Sequence, residues 1–326
     1  MARKYSVFLD NVGTAYDRFC AEYAPPFSTE ELFRRAKSID LLSGVDLVAS
    51  PELIANMDAV RSSVRETGLS VVSIALDIFT QPVWKQGSFS SQDAKVREAA
   101  MDHAREVMSL LKEFGSDLLT IWPGQDGYDY LFQADYLEER TSFQNCIAQL
   151  AHEHPDMRIC LEYKVKEPRT HSYLGTLGMT LLMANATGSD NVGVALDFGH
   201  SLYGYENPAE SVAILQMYGQ KLFHVHINDN YRYWDDDLIV GSVRTLEYLE
   251  FLYWLRRTGY SDWITIDQFP YREDGRDACS ESAEWLDFFE SILDNFDTKR
   301  IDEVIRKKDG VAASRLAREM LRTRTS

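Results

Sequence analysis

The chain has 326 residues, 45% of them hydrophobic and 26% charged, with a formal net charge of −17. That length suits one large α/β domain or two average ones, and the composition suits a globular protein with a sizeable core. An acidic balance of this size argues against a nucleic-acid partner, whose phosphates call for clustered Lys and Arg.

The carboxylate excess belongs either to a solvated surface or, in part, to acids gathered around cations. Cys20, Cys146, Cys160 and Cys279 show no CxxC spacing and read as reduced intracellular thiols, with Cys160 a small core residue. The opening MARKYSVFLDN carries no apolar h-region, and no apolar run reaches about 18 residues. The expectation is a cytoplasmic protein with no membrane partner.

Lys4–Asp10 alternates as a first strand, closed by Asn11-Val12-Gly13. Ser28 or Thr29 caps the helix that follows, with Glu30 and Glu31 in its first turn. Gly44–Ser50 is the second strand; Pro51 opens a helix that Gly68 ends. Leu69–Phe79 is the third strand, and a long helix spans Ser90–Gly115 with His103 packed in its apolar stripe. Asp117–Trp122 is the fourth strand, stopped by Pro123-Gly124, and a helix takes much of Tyr130–His154. Met157–Lys164, Val192–Phe198, Leu222–Asn228 and Trp263–Gln268 are strands five to eight. Helices at Leu174–Ala186, about Pro208–Gly219 and Val243–Thr258 separate them, and Ser280–Phe296 and about Ala312–Leu321 are helical.

Eight strand–helix alternations, unbroken by a Pro/Gly/Ser linker, predict an α/β fold: a single parallel (β/α)8 TIM barrel over 1–275, helices outside. Residues 276–326 are expected to form a C-terminal helical extension, packing on the barrel or on a neighbouring subunit. A doubly wound open sheet would gather ligands at one switch point. This chain spreads them over four consecutive strands.

Glu162, Asp197, His226 and Asp267 each stand at the end of a short apolar run, 35, 29 and 41 residues apart, so that each gap holds one βα unit. The carboxyl ends of barrel strands are where such a fold keeps its active site. Three carboxylates and one imidazole suit a hard divalent ion, Mn²⁺ or Mg²⁺, with Co²⁺ an alternative. Buried acids at strand ends repel one another without a cation. His200, three residues past Asp197, joins Asp235 and Asp237 of WDDDL and Asp197 itself in a second divalent set, making two ions per subunit. Lys164 shares the Glu162 face and can donate to an oxygen that gains charge in the reaction. Trp122 is a candidate apolar wall for a substrate, and His224 a substrate contact or a supporting group behind it.

These residues resemble the xylose isomerase-like superfamily, and most of all its two-metal aldose–ketose isomerases. Glu162-x-Lys164, Asp197-x-x-His200 and Asp235-x-Asp237 are similar to xylose isomerase. HINDN followed by DDDLIVGS, then Asp267-Gln268, is closer to L-rhamnose isomerase. Trp122-Pro-Gly-Gln-Asp-Gly127 is similar to the Trp-Gly-Gly-Arg-Glu-Gly segment of xylose isomerases, departing at Pro123, Gln125 and Asp126. The resemblance covers about residues 116–270 and implies a TIM barrel acting on a small-molecule sugar in a homo-oligomer. It implies hydride transfer between C1 and C2, with Glu162, Asp197, His226 and Asp267 on one ion and Asp197, His200, Asp235 and Asp237 on the other. Glu162, Lys164 and Asp237 then act in catalysis, and Trp122, Lys164 and His224 contact the sugar. The His-Asp pair that opens the sugar ring in xylose isomerases has no counterpart, because no His precedes His103. A phosphosugar needs a basic pocket, for which Arg169 and Arg232 are the candidates near strand ends, so unphosphorylated sugars are favoured. The alternative is a single-metal epimerase, dehydratase or C-glycoside-cleaving enzyme on the same barrel.

Overall fold

The computed structural model describes residues 4–21 and 23–323. Eight parallel strands close into a barrel: β1 Lys4–Phe8, β2 Leu42–Val48, β3 Ser70–Ala75, β4 Leu118–Ile121, β5 Arg158–Glu162, β6 Val192–Asp197, β7 Leu222–Ile227 and β8 Trp263–Ile266. Sequential strands are neighbours throughout, and β8 returns to β1 with Lys4 opposite Trp263. This is the (β/α)8 TIM barrel that the alternation predicts, with helices between the strands and more at the carboxyl end.

The strands stop one to four residues short of their sequence-based ends because local hydrogen bonds take the backbone over. After β3, Asp77 Oδ1 accepts from Phe79 N at 3.3 Å and Thr80 N at 3.0 Å, a turn that ends the ladder. The single helix expected between Pro51 and Gly68 is two, Pro51–Ala55 and Met57–Thr67. Asn56 interrupts it at φ −104°, ψ 21°, its side-chain amide donating to the Glu52 carbonyl at 3.1 Å. Gly68 closes the second helix in the left-handed region at φ 68°, as a C-cap glycine does. His103 is not in the buried stripe of its helix, which runs through Ala100, Ala104, Val107 and Leu111; it lies at the edge, 3.6 Å from Glu106.

Two helices escape the sequence pattern. Phe198–Tyr203 starts directly on the end of β6, capped by Asp197, whose Oδ1 accepts from His200 N at 2.6 Å. Thr298–Lys307 lies between the two helices expected at the carboxyl end, capped by Asp297. Gly275–Asn295, Thr298–Lys307 and Gly310–Met320 send Leu286, Phe289, Ile301, Leu316 and Met320 into the same core cluster as the barrel strands.

The amino-terminal end of the lumen is plugged by large rings set against glycines. A Cβ on Gly44 would meet the Trp263 ring at 2.8 Å, and one on Gly193 would meet Phe223 at 2.5 Å. The opposite end stays polar.

Candidate metal centre

Four strand ends converge at the carboxyl mouth. Glu162 ends β5, Asp197 ends β6, His226 lies one residue from the end of β7, and Asp267 follows β8 directly. One ligand atom from each lies within 4.8 Å of the others. His226 Nδ1 faces Glu162 Oε1 at 3.3 Å and Asp267 Oδ2 at 3.7 Å. Amides hold the acids in place: Asn228 Nδ2 donates to Asp197 Oδ2 at 3.1 Å, and Asn11 Nδ2 lies 3.4 Å from Asp267 Oδ1. Gly199 makes room for Asn228, whose Oδ1 stands 1.8 Å from where a Cβ would be.

The second set is arranged differently. His200 Nδ1 sits 3.2 Å from Glu162 Oε1, so the short helix after β6 brings this imidazole beside the first cluster. Its Nε2 is 3.1 Å from Asp235 Oδ2, which Lys164 Nζ also approaches at 2.8 Å. Lys164 makes a further ion pair with Glu167 at 2.8 Å. Asp237 takes left-handed backbone at φ 49° and faces the charges of Asp235, Lys164, Asp267 and His200. Asp236 points elsewhere, as expected, accepting from Tyr231 N at 2.9 Å. Asp235 is thus held by a cation of the chain itself.

Trp122 is half-buried at the mouth, edge-on to Phe79 with ring centroids 4.7 Å apart, and Lys164 Nζ stands 5.5 Å over its ring. The indole lies beside Lys164 at the rim of this cluster. His224 does not reach the mouth: it is wholly buried, its Nε2 2.9 Å from Asp46 Oδ2 and 3.1 Å from Thr265 Oγ1. Two residues before His226 on a strand means the same face but one layer deeper, which puts this wholly buried side chain out of reach of a sugar at the mouth. Arg169 is tied to the Asp129 carboxylate at 2.8 Å and to backbone carbonyls.

Among the described residues, His226 Nδ1 and Nε2, His200 Nδ1 and Asp235 Oδ1 are buried without a hydrogen-bond partner. Buried polar atoms rarely stay so, and a cation among these acids would satisfy several of them at once. The crowding also shows in protonation. Burial and the Glu162 and Asp197 charges push the Asp267 carboxyl up to about 7. Burial opposes a charge on His226, yet Glu162 and Asp267 outweigh it and raise the imidazole to about 9. Negative charge here draws in protons where positive charge is short. Three carboxylates and an imidazole fit a hard divalent ion, and the residues present fit that group.

A family model described as xylose isomerase-like TIM barrel matches residues 33–288. This chain belongs to the xylose isomerase-like TIM barrel family. It is 30% identical over 190 residues to the xylose isomerase of Thermus thermophilus, covering 56% of this chain and 48% of that protein. The chain therefore spans about half the length of the curated relatives it matches. A D-tagatose 3-epimerase-like protein superposes with a TM-score of 0.67 at 20% identity, over 89% of this chain and 99% of the other. An L-ribulose 3-epimerase does so at 0.69 and 13% identity, over 90% and 97%. At such identities the two structures speak for the fold alone. Within the described residues no helix is long and apolar enough to cross a membrane.

Sequence reading missed Asn11, Asp46 and Asn228. Asn228 follows His226 by two residues and Asp46 is the lone acid in the apolar run GVDLVAS, so both carried a signal in their strands. Asn11 had none.

Proposed function

We propose that this chain is a divalent-metal-dependent sugar isomerase, which interconverts an aldose and a ketose by moving hydride between C1 and C2. The observation that carries the reading is the convergence of Glu162, Asp197, His226 and Asp267 at one strand-end cluster, with Lys164, His200 and Asp235 paired beside it. The first four would hold one ion; Asp197, His200, Asp235 and Asp237 would hold a second, with Mn²⁺ the ion favoured for both. When bound, a divalent ion polarises vicinal sugar oxygens and favours loss of a hydroxyl proton at neutral pH.

The remaining work belongs to the chain. Burial opposes a charge on Lys164, but Asp235, Asp237 and Glu167 outweigh it and hold the ammonium protonated. It is therefore a donor to an oxygen that gains charge, not a base. Trp122 and Phe79 form an apolar wall that keeps water from the reacting carbons. With Arg169 committed to Asp129 and to backbone carbonyls, no free basic pocket forms around it, which supports an unphosphorylated sugar. Four cysteines outside any disulfide support a reducing compartment, the cytoplasm. Leu131 and Phe132, exposed on the loop after β4, and Leu137, exposed in the first turn of the helix that follows, support a homo-oligomer, which light scattering tests.

A second reading has its own support. Only the first set is gathered as a cluster, with Asp235 already paired to Lys164, and the structural likenesses include sugar epimerases. One-ion epimerisation uses a carboxylate or His base to abstract a carbon-bound proton.

Turnover of a panel of aldoses and ketoses with Mn²⁺ in deuterated water separates the two. Product with little deuterium at C1 or C2 supports the hydride shift; heavy incorporation moves the assignment to the epimerase. Asp237→Asn is expected to abolish turnover and to halve Mn²⁺ stoichiometry from two to one. Full activity in that variant would remove the two-ion proposal.

A further inference from the structure

A polar layer crosses the lumen directly beneath the metal centre. Barrel interiors ordinarily fill with branched aliphatic side chains. Here Ser6, Asp46, Ser73, Thr120, His224 and Thr265 are all wholly buried and bonded to one another. Asp46 is the hub. Ser6 Oγ donates to its Oδ1 at 2.9 Å, Thr265 Oγ1 donates to Oδ1 at 2.9 Å, and Ser73 Oγ donates to Oδ2 at 2.5 Å. Thr120 extends the chain by donating to Ser73 at 3.1 Å. His224 reaches Oδ2 at 2.9 Å from β7, on the other side of β1 and β8.

Burying a carboxylate in a sealed lumen is costly, and a well-packed apolar replacement is often as stable or more so. The fold alone gives no reason to keep one there. Three hydroxyls donate to the Asp46 oxygens and the His224 ring also meets one of them, an all-acceptor pattern that an ionised carboxylate fills. Its charge sits under a ligand. One nitrogen of His226 lies within 4.8 Å of both an Asp46 oxygen and a His224 nitrogen. The His226 ring is gripped edge-on by His224, at 4.8 Å and 84°, and by Phe8, at 5.0 Å and 78°. Asp46, His224 and His226 are themselves close enough to share an ion, but Asp46 and His224 already satisfy each other directly at 2.9 Å, so we read the pair as acting on His226.

We propose that Asp46, braced across the lumen by His224, is a positioning residue for the metal centre, orienting the His226 imidazole and strengthening it as a ligand. The proposal rests on the divalent-metal reading above. Asp46 does not bond His226, so its action is the pull of a nearby negative charge, within 4.8 Å, on a cation-binding imidazole whose ring is held in place through His224; loss of carboxylates that back a ligand typically weakens metal binding about 10- to 100-fold.

The test is Mn²⁺ titration by calorimetry of wild type, Asp46→Asn and Ser6→Ala, with the melting temperature of each metal-free protein. Asp46→Asn keeps the shape and removes the charge. It is expected to weaken Mn²⁺ binding about 10- to 100-fold, while the metal-free melting temperature holds or rises. Ser6→Ala removes one bond to Asp46 but no charge, and is expected to leave affinity within about 3-fold of wild type. Affinity in Asp46→Asn equal to wild type overturns the proposal and leaves the metal reading standing. Wild-type protein that takes up no Mn²⁺ removes both. Should Asp46→Asn fail to fold, His224→Gln decides: it removes the imidazole that braces Asp46 and the ring edge against His226. Wild-type affinity in His224→Gln overturns the proposal as well.

Discussion

Asp235 Oδ2 receives Lys164 Nζ at 2.8 Å and His200 Nε2 at 3.1 Å, so one carboxylate oxygen fixes both a charge donor and an imidazole. That arrangement makes Lys164 rigid before substrate arrives, and preorganised charge is what stabilises a transition state. Lys164→Ala is therefore expected to lower kcat by about 10²–10³-fold with KM little changed, because the ammonium is aimed at developing charge and not at the ground-state sugar. Steady-state kinetics on whichever sugar turns over checks this; an unchanged kcat removes the role. At this scale the sequence was readable where chemistry and position coincide. Glu162, Asp197, His226 and Asp267 are polar residues at the ends of apolar strands, and the fold brings them together. Asp46 and His224 also stood in their strands as polar residues. What could not be read was their pairing, between residues 178 apart, because the bond crosses the lumen between strands that are not neighbours. Asn11 was beyond reading for another reason: an amide that steadies a carboxylate looks like any loop Asn.

The strands were legible because each buries a short apolar run, and the long helices because their apolar faces repeat. The helix Phe198–Tyr203 was not, since six consecutive buried residues show no face periodicity. Yet it is the element that turns His200 back toward Glu162, with Asp197 serving as its N-cap. The lower lumen shows the complementary lesson. Gly193 in β6 is required by the Phe223 ring of β7, which three positions of the ring bring within 2.7 Å of a Cβ. Strand glycines otherwise weaken a sheet, so close approach is the reason this one is kept. Gly193→Ala is expected to destabilise the fold by about 1–3 kcal/mol through overpacking. Urea unfolding should show the midpoint falling with the slope unchanged. Mn²⁺ affinity is expected to stay as in wild type, because Asp197 lies four residues further along the strand.

The formal charge of −17 has two components that respond differently to added ions. Surface carboxylates repel one another through water, and salt screens them over a Debye length of about 10 Å at 0.1 M. The buried cluster at the mouth is out of reach of that screening. Its carboxylates and imidazoles are closed in by the ends of β5 to β8, so only an ion that enters the site relieves them. An ion that binds the folded chain and not the unfolded one stabilises by mass action, about 2.7 kcal/mol when its concentration is 100-fold above Kd. Mn²⁺ is therefore expected to raise the melting temperature by several degrees, and EDTA to reverse the gain. About 0.5 M NaCl should leave most of that increment in place, since it acts on the exposed charges alone. Thermal melts across a Mn²⁺ series, with and without salt, measure both contributions. A shift abolished by NaCl would assign the effect to the acidic surface, and the strand-end cluster would then lose its claim to the ion.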